Sequence, residues 1–397
     1  MTFSVHNDDL LNSRPEVELL LCCACAHDDD EITARLASLI QAGIDWDALL
    51  RLAQKHRLIP LVYRSLQAIP SNADAAVPAR ILDSLQNHFY LSAVHNHRLS
   101  DELSHILKLF AEHAIAVIPY KGPALAASLY GDISLRQFSD LDILIRRGDV
   151  SKASALLAAR GYRRQHQLSR AQEAAFQRIE CESLFSRPED RLHIDLHWQL
   201  APAYFSLKLD ADSLWPRLEE SSFEGQRILA FGPEDLLLVL AVHAAKECWE
   251  RLVWLCDLNE LIRSRPALNW PHLIEQSTGA GARRILLLSL KLTRDLLGTK
   301  LPDEITRAIE ADHAVEILAA QIKGELFREA IRPAGVSRYL LPGQALERRR
   351  DRIKFRLRLA LTPSPEDWAF LRLPDRLLPL YFLVRPLRLA RKYLIGR

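Results

Sequence analysis

The chain is 397 residues long, more than one hydrophobic core usually supports, which suggests two or three folded units. Hydrophobic residues make up 49% and charged residues 26%, a balance that excludes a fibrous, collagenous or wholly disordered protein. The formal charge of +2 hides an uneven distribution, because residues 347 to 397 hold 14 Lys and Arg against 5 Asp and Glu, a net of +9 that leaves −7 for the rest.

Six cysteines are too few for a disulfide scaffold. Cys22, Cys23 and Cys25 crowd together with His27 but lack a Cys-x-x-Cys spacing, so Val17 to Ala26 reads as one buried helix with small thiols packed inside rather than as a metal site. The start lacks the basic and apolar regions of a signal peptide, and no run approaches the roughly 18 apolar residues of a membrane span. A cytoplasmic, non-spanning protein is expected.

From about Glu16 to Glu112 apolar residues recur at spacings of three and four, with breaks at Gly43, Pro60 and Pro70, which predicts a helical N-terminal region. Its last helix, Pro78 to Glu112, carries histidines on several faces, the pattern of solvated positions rather than of a metal site. The period then changes. Ala114 to Tyr120 predicts a short buried strand delivered into the Gly turn Lys121-Gly122-Pro123, and Ala124 to Tyr130 a helix stopped by Gly131. Ser139-Asp140-Leu141-Asp142-Ile143-Leu144-Ile145 reads as a second strand, Val150 to Arg160 as a helix, and Arg163 to Glu182 is ambiguous. In Leu192-His193-Ile194-Asp195-Leu196-His197-Trp198, alternation puts His193, Asp195 and His197 on one face and the apolar residues on the other. Pro233 opens a strong helix expected to run to about Arg263, and helical periodicity continues to about Arg332.

Asp140 and Asp142, two apart in a strand, are expected to point their carboxylates to one side, a geometry suited to Mg²⁺ with its preference for hard oxygens and substrate phosphates. A third carboxylate on a neighbouring strand would complete a two-metal site, and Asp195 is the candidate. Gly122, without a Cβ, lets backbone amides at a helix start approach phosphate.

Lys121-Gly122-Pro123-Ala124-Leu125-Ala126, Leu129-Tyr130-Gly131-Asp132, Arg136 and Ser139-Asp140-Leu141-Asp142-Ile143-Leu144 together resemble the uncharacterised nucleotidyltransferase family of bacteria, within the DNA-polymerase-β-type superfamily. Asp195-Leu196-His197-Trp198 is similar to its second motif, and the helix carrying Pro233-Glu234-Asp235-Leu236, His243, Lys246, Trp249, Trp254 and Asp257 to its third. The likeness covers most of residues 16 to 300. It implies a mostly helical α+β fold, in which a small mixed β-sheet core is flanked by N- and C-terminal helical regions. It also implies Mg²⁺ (or Mn²⁺) held by Asp140, Asp142 and Asp195, and transfer of NMP from an NTP with release of diphosphate. The chain departs from the superfamily in one place: Pro123 follows Gly122 where Ser or Gly is usual, so triphosphate contacts are expected from Lys121, Arg136 or Ser139. Lys246 is read either as a further phosphate cation or as half of a salt bridge with neighbouring acids.

The expected organisation is a helical region over 1–112, a nucleotidyltransferase core over 113–232, a helical domain over 233–340 and a basic helical tail over 341–397. The tail suits three partners, an anionic membrane surface, a nucleic acid or a peptide, or else it docks on the acidic body of its own chain. The acceptor is expected to be a small molecule, peptide or protein. The competing reading is a catalytically silent nucleotide-binding or adaptor protein that uses its tail to dock a membrane, peptide-tailoring or nucleic-acid partner.

Overall fold

A computed structural model describes residues 14–24, 30–69, 77–328 and 336–392. Four helices, α1 (Pro15–Cys23), α2 (Asp30–Ala42), α3 (Trp46–His56) and α4 (Ile59–Gln67), precede the long α5 (Ala79–Glu112). Cys22 and Cys23 lie on α1 as a packed helix requires, Cys23 fully buried, while Cys25 and His27 fall outside the described residues. Strand β1 (Val117–Pro119) leads through the Gly turn into α6 (Gly122–Tyr130), followed by β2 (Leu141–Ile145) and α7 (Val150–Ala159).

The ambiguous stretch resolves into β3 (Arg163–Arg164), α8 (Arg170–Ile179) and the start of β4 (Glu182–Arg187). Ser169 and Gln172 form a reciprocal capping box that starts α8, a local signal that polar composition had masked. β5 (Leu192–His197) and the hairpin of β6 (Glu219–Phe223) and β7 (Gln226–Ala230) complete the strands among the described residues.

The main sheet has the order β1-β2-β5-β4-β3, with β2 parallel to β5 and the other neighbours antiparallel, so the fold is a mostly helical α+β one around a small mixed sheet. Its two faces follow from the alternation. Leu141, Ile143, Ile145, Ile194 and Leu196 enter a core with Leu103, Ile106 and Phe110 of α5, while Leu144 and Ile118 face a smaller cluster with Trp215 and Phe231. α5 joins two cores, because its first turns, through Ile81 and Leu85, pack in the large helical core instead.

That large core also takes up α9 (Pro233–Lys246), α10 (Leu252–Ser264), α11 (Trp270–Ala280), α12 (Arg283–Leu297), α13 (Asp303–Glu310) and α14 (His313–Leu326). The single helix expected from Pro233 to Arg263 is two. Cys248 and Trp249 adopt left-handed backbone (φ 57° and 51°), which turns the chain so that the Trp249 indole is buried and donates to Ser289 Oγ at 2.8 Å. Packing of one large aromatic outweighs local helix propensity there, so residues before and after the break share no common helical face.

The tail forms α15 (Val336–Gln344), α16 (Arg349–Leu361), α17 (Pro365–Phe370) and α18 (Tyr381–Ala390). It docks on the body mainly through apolar anchors. Phe355 enters the large core, edge-on to Phe205 at 5.6 Å, and Tyr381 enters the sheet core.

His56, at the end of α3, is fully buried and its Nδ1 accepts the Leu252 N–H at 3.3 Å, which fastens the N-terminal helices to α10. Burial, reinforced by Lys55 and Arg251, lowers its pKa to about 3. The unfolded chain therefore binds a proton below about pH 6.5 that the folded chain refuses. Stability is present above that pH and is lost at about 1.4 kcal/mol per unit as the pH falls toward 3. Urea midpoints measured from pH 7 to 4.5 should show this slope, and His56→Gln should flatten it.

Candidate active site

The β2–β5 register pairs Asp142 with Asp195. Residues in register on parallel strands share a face, so both carboxylates leave the sheet on the side opposite the Ile143 and Leu196 core. Ligand atoms of Asp142, Asp195 and His197 lie within 4.8 Å of one another. Asp140 stands in the bend just before β2, since the strand begins at Leu141 rather than Ser139.

Gly122 is required by the backbone on two counts. Its φ is +60°, and a Cβ there would meet the Asp140 carbonyl oxygen at 3.1 Å. Gly122→Ala is therefore expected to lower stability by about 1–3 kcal/mol and to push the start of α6 away from Asp140. Thermal melting combined with a nucleotidyl-transfer assay checks this, with both signals falling.

Lys121, at the N-cap of α6, forms a buried ion pair with Asp142 Oδ1. His197 Nε2 stands 3.1 Å from the same oxygen, and its Nδ1 stands 3.1 Å from Glu182 Oε2. Glu182 in turn accepts from Lys246 Nζ at 2.7 Å. On the other side of Lys121, His243 Nδ1 is 3.4 Å from the ammonium. The site is thus a continuous run of polar contacts from Lys246 through Glu182, His197 and Asp142 to Lys121.

The carboxylates titrate apart. Burial opposes the ionisation of Asp142, but the Lys121 ammonium and the His197 hydrogen bond outweigh it and hold the carboxyl well below the usual range. For Asp195 the pull of Lys121 is outweighed: burial, then Asp142, Glu182 and Asp140, push it up to about 8. Burial and Asp142 raise Asp140 as well. Asp195 Oδ1 is buried without a hydrogen-bond partner among the described residues. A buried, partnerless carboxylate oxygen beside a second carboxylate and an imidazole is a donor set that fits a hard divalent cation.

Glu182 falls to about 2, because Lys246 and then His197 overcome its burial. Lys246 is raised well above its ordinary range, Glu182 overriding the effect of burial. Lys246 is therefore committed to an ion pair with Glu182 on β4, not to Glu250 one turn along.

Of the residues expected at the site, Lys121, Asp142 and Asp195 come together with His197, while Gly122 and Asp140 form the adjoining bend and the Asp140 carboxylate is not among the ligand atoms grouped within 4.8 Å. Arg136 does not present its guanidinium to them: Nε and a terminal nitrogen both donate to Asp257 at 2.7 Å, and Tyr130 OH donates to the same carboxylate at 2.9 Å. Both members of the pair are buried, which makes it a strut between the loop after α6 and helix α10. Ser139 Oγ accepts from Arg57 at 3.2 Å.

Arg57 and Glu182 are the site residues that sequence reasoning did not single out. Arg57 ends α3 in left-handed backbone (φ 59°), and Asp140 and Asp142 are among the charges acting on it. Nothing local connects it to an acidic motif more than eighty residues away. Glu182 sits opposite His197 in the antiparallel β4–β5 ladder, legible only once the ambiguous segment is known to end in a strand.

A mixed sheet bearing carboxylates in register on adjacent parallel strands, beside a Gly bend that opens a helix, is an arrangement that could hold a divalent metal. A family model described as uncharacterised nucleotidyltransferase matches residues 42–298, and the chain belongs to that family. Membership supports nucleotidyl transfer as its general activity. No curated protein and no solved structure matches the chain.

Proposed function

We propose that the protein transfers a nucleoside monophosphate from an NTP to a hydroxyl-type acceptor and releases diphosphate, with Mg²⁺ or Mn²⁺ as cofactor. The observation that carries this reading is the register of Asp142 with Asp195, together with the partnerless Asp195 Oδ1. Asp142 and Asp195, with Asp140 at the bend, would hold divalent metal, which supplies charge neutralisation for the triphosphate and for the attacking oxygen. The acceptor oxygen forms a bond to the α-phosphorus, the bond from that phosphorus to its bridging oxygen breaks, and the electron pair leaves with diphosphate. Asp195, in register with Asp142, would take the acceptor proton.

His197, held between Asp142 and Glu182, fixes the orientation of Asp142. Lys121 exchanges its contact with Asp142 for the triphosphate when nucleotide enters. Arg57, at the Ser139 end of the same bend, provides a second phosphate cation in the role that Arg136, bound to Asp257, does not fill. Arg57→Gln is accordingly expected to raise KM for the NTP about tenfold with a smaller change in kcat. Steady-state kinetics with varied NTP checks it.

The decisive experiment incubates the full chain with each α-labelled NTP, Mg²⁺ or Mn²⁺, and candidate small-molecule, peptide and protein acceptors. Label transfer with stoichiometric diphosphate supports the proposal, and equal turnover by Asp142→Asn overturns it. The silent, adaptor-like reading draws on Pro123, which is buried at the start of α6 and has no N–H for phosphate, and on Lys121, which already neutralises Asp142. Calorimetry separates the two readings: tight nucleotide binding with no diphosphate release for any acceptor favours the silent one.

A further inference from the structure

The basic tail lies beyond the family-matched residues 42–298, and its exterior differs from the rest of the molecule. Fourteen large hydrophobic side chains are exposed among the described residues, and ten of them fall between Ile353 and Leu387. On α16, Ile353, Leu357 and Leu361 recur at four-residue spacing and form one exposed apolar stripe, while Phe355, about half a turn away, anchors the helix in the core.

α18 is inside out. Its arginines turn inward: Arg385 and Arg388 pair with Asp367, which is itself 0% exposed. Its leucines turn outward, with Leu383 66% and Leu387 70% exposed. A helix facing only water has the opposite arrangement, because exposing leucine while burying a charged pair is unfavourable twice over. α16 and α18 pack against each other, and Arg385 also donates to the Leu359 carbonyl, so the two apolar faces belong to one structural unit.

The charge around these leucines identifies the occupant. Between Arg348 and Lys392 ten Lys and Arg residues are exposed against two acids, Glu366 and Asp375. A second copy of this surface would be repelled by its like charge. A nucleic acid would use the cations but leave the aliphatic stripe in water. Aliphatic side chains interleaved with cations match the interface of an anionic bilayer, in which acyl chains take up the first and headgroup phosphates pair with the second. No helix among the described residues is long and apolar enough to cross a membrane, which agrees with a segment lying on the surface.

We infer that α16 to α18 form a peripheral docking surface for anionic phospholipid bilayers, which holds the catalytic core at a membrane face. The inference does not depend on the core being active. The test is flotation of the full chain with phosphatidylglycerol–phosphatidylcholine vesicles and with phosphatidylcholine vesicles, at low and high salt. Association with the anionic vesicles alone, weakened by salt and reduced about tenfold or more in Leu383→Glu/Leu387→Glu, is the expected result. These side chains are exposed, so the variant should keep the wild-type melting curve. Lys354→Ala/Arg356→Ala gives an independent arm, with weaker binding and the exposed leucines of α18 untouched. Absence of binding to anionic vesicles overturns the inference. So does salt-insensitive binding to both vesicle types. Sedimentation showing a dimer that Leu383→Glu/Leu387→Glu dissolves would assign the face to a second copy instead.

Discussion

Asp195→Asn is expected to lower nucleotidyl transfer about a thousandfold or more while leaving the protein at least as stable as the wild type. The two effects separate because of what surrounds this side chain. In the absence of divalent ions Asp195 is a liability: Oδ1 has no hydrogen-bond partner, and Asp142, Glu182 and Asp140 all act against its ionisation. A carboxamide of the same shape removes the like-charge repulsion, for a gain of about 1–2 kcal/mol under metal-free conditions after allowance for partial solvent screening. On the proposed mechanism the same change also removes a hard anionic ligand and the group that takes the acceptor proton. Melting curves in EDTA and in Mn²⁺, run beside a diphosphate-release assay, test both halves. Wild type should gain stability with Mn²⁺ and the variant should not. A variant that responds to Mn²⁺ and still turns over would exclude Asp195 from the metal site.

Asp142→Asn is a less clean variant of the same idea. Asp142 is the counter-ion of Lys121 and a partner of His197, so its loss also leaves a buried ammonium unpaired. Low activity in that variant needs a folding control, whereas in Asp195→Asn it does not.

The largest expected effect on stability is at Asp257. Asp257→Ala should cost about 3–5 kcal/mol, because it leaves the Arg136 guanidinium buried without its counter-charge and deprives Tyr130 OH of its acceptor. Replacing the pair together, as Arg136→Met/Asp257→Leu, should recover the part of that loss due to the unpaired guanidinium, since two apolar side chains need no mutual compensation, while Tyr130 OH stays without its acceptor. Urea unfolding measures the cycle. The double variant also decides the functional part of Arg136. If KM for the NTP is unchanged once the fold is restored, the guanidinium is a strut; a large rise would return it to the triphosphate.

Much of the site was legible along the chain because its parts are local. Gly122 announces a turn, and Leu141-Asp142-Ile143 and Ile194-Asp195-Leu196 each declare by alternation which side chains leave the core. Three motifs in order were enough to indicate the family. The helix break at Cys248 and Trp249 was not legible, because it goes with the burial of Trp249 against a helix distant in sequence and not with any breaker residue. The partners of Arg136 and Lys246 were not legible either. A long cationic side chain on a polar face reaches many acids equally well in sequence, and only the packing of α10 and β4 selects Asp257 and Glu182.

By itself the amino-acid sequence determined the periodicities: helices on either side of a short alternating region, carboxylates on one face of their strands, and a tail far more basic than the body. These are properties of neighbouring residues, set by backbone geometry within a few positions. The tertiary structure alone decided that β2 and β5 lie parallel with Asp142 opposite Asp195, that Arg57 reaches the acidic bend while Arg136 turns away, and that α18 shows its leucines rather than its arginines. Each depends on which distant surfaces bury one another, and burial, which fixes both the partner and the charge state of a side chain, is a property of the assembled core.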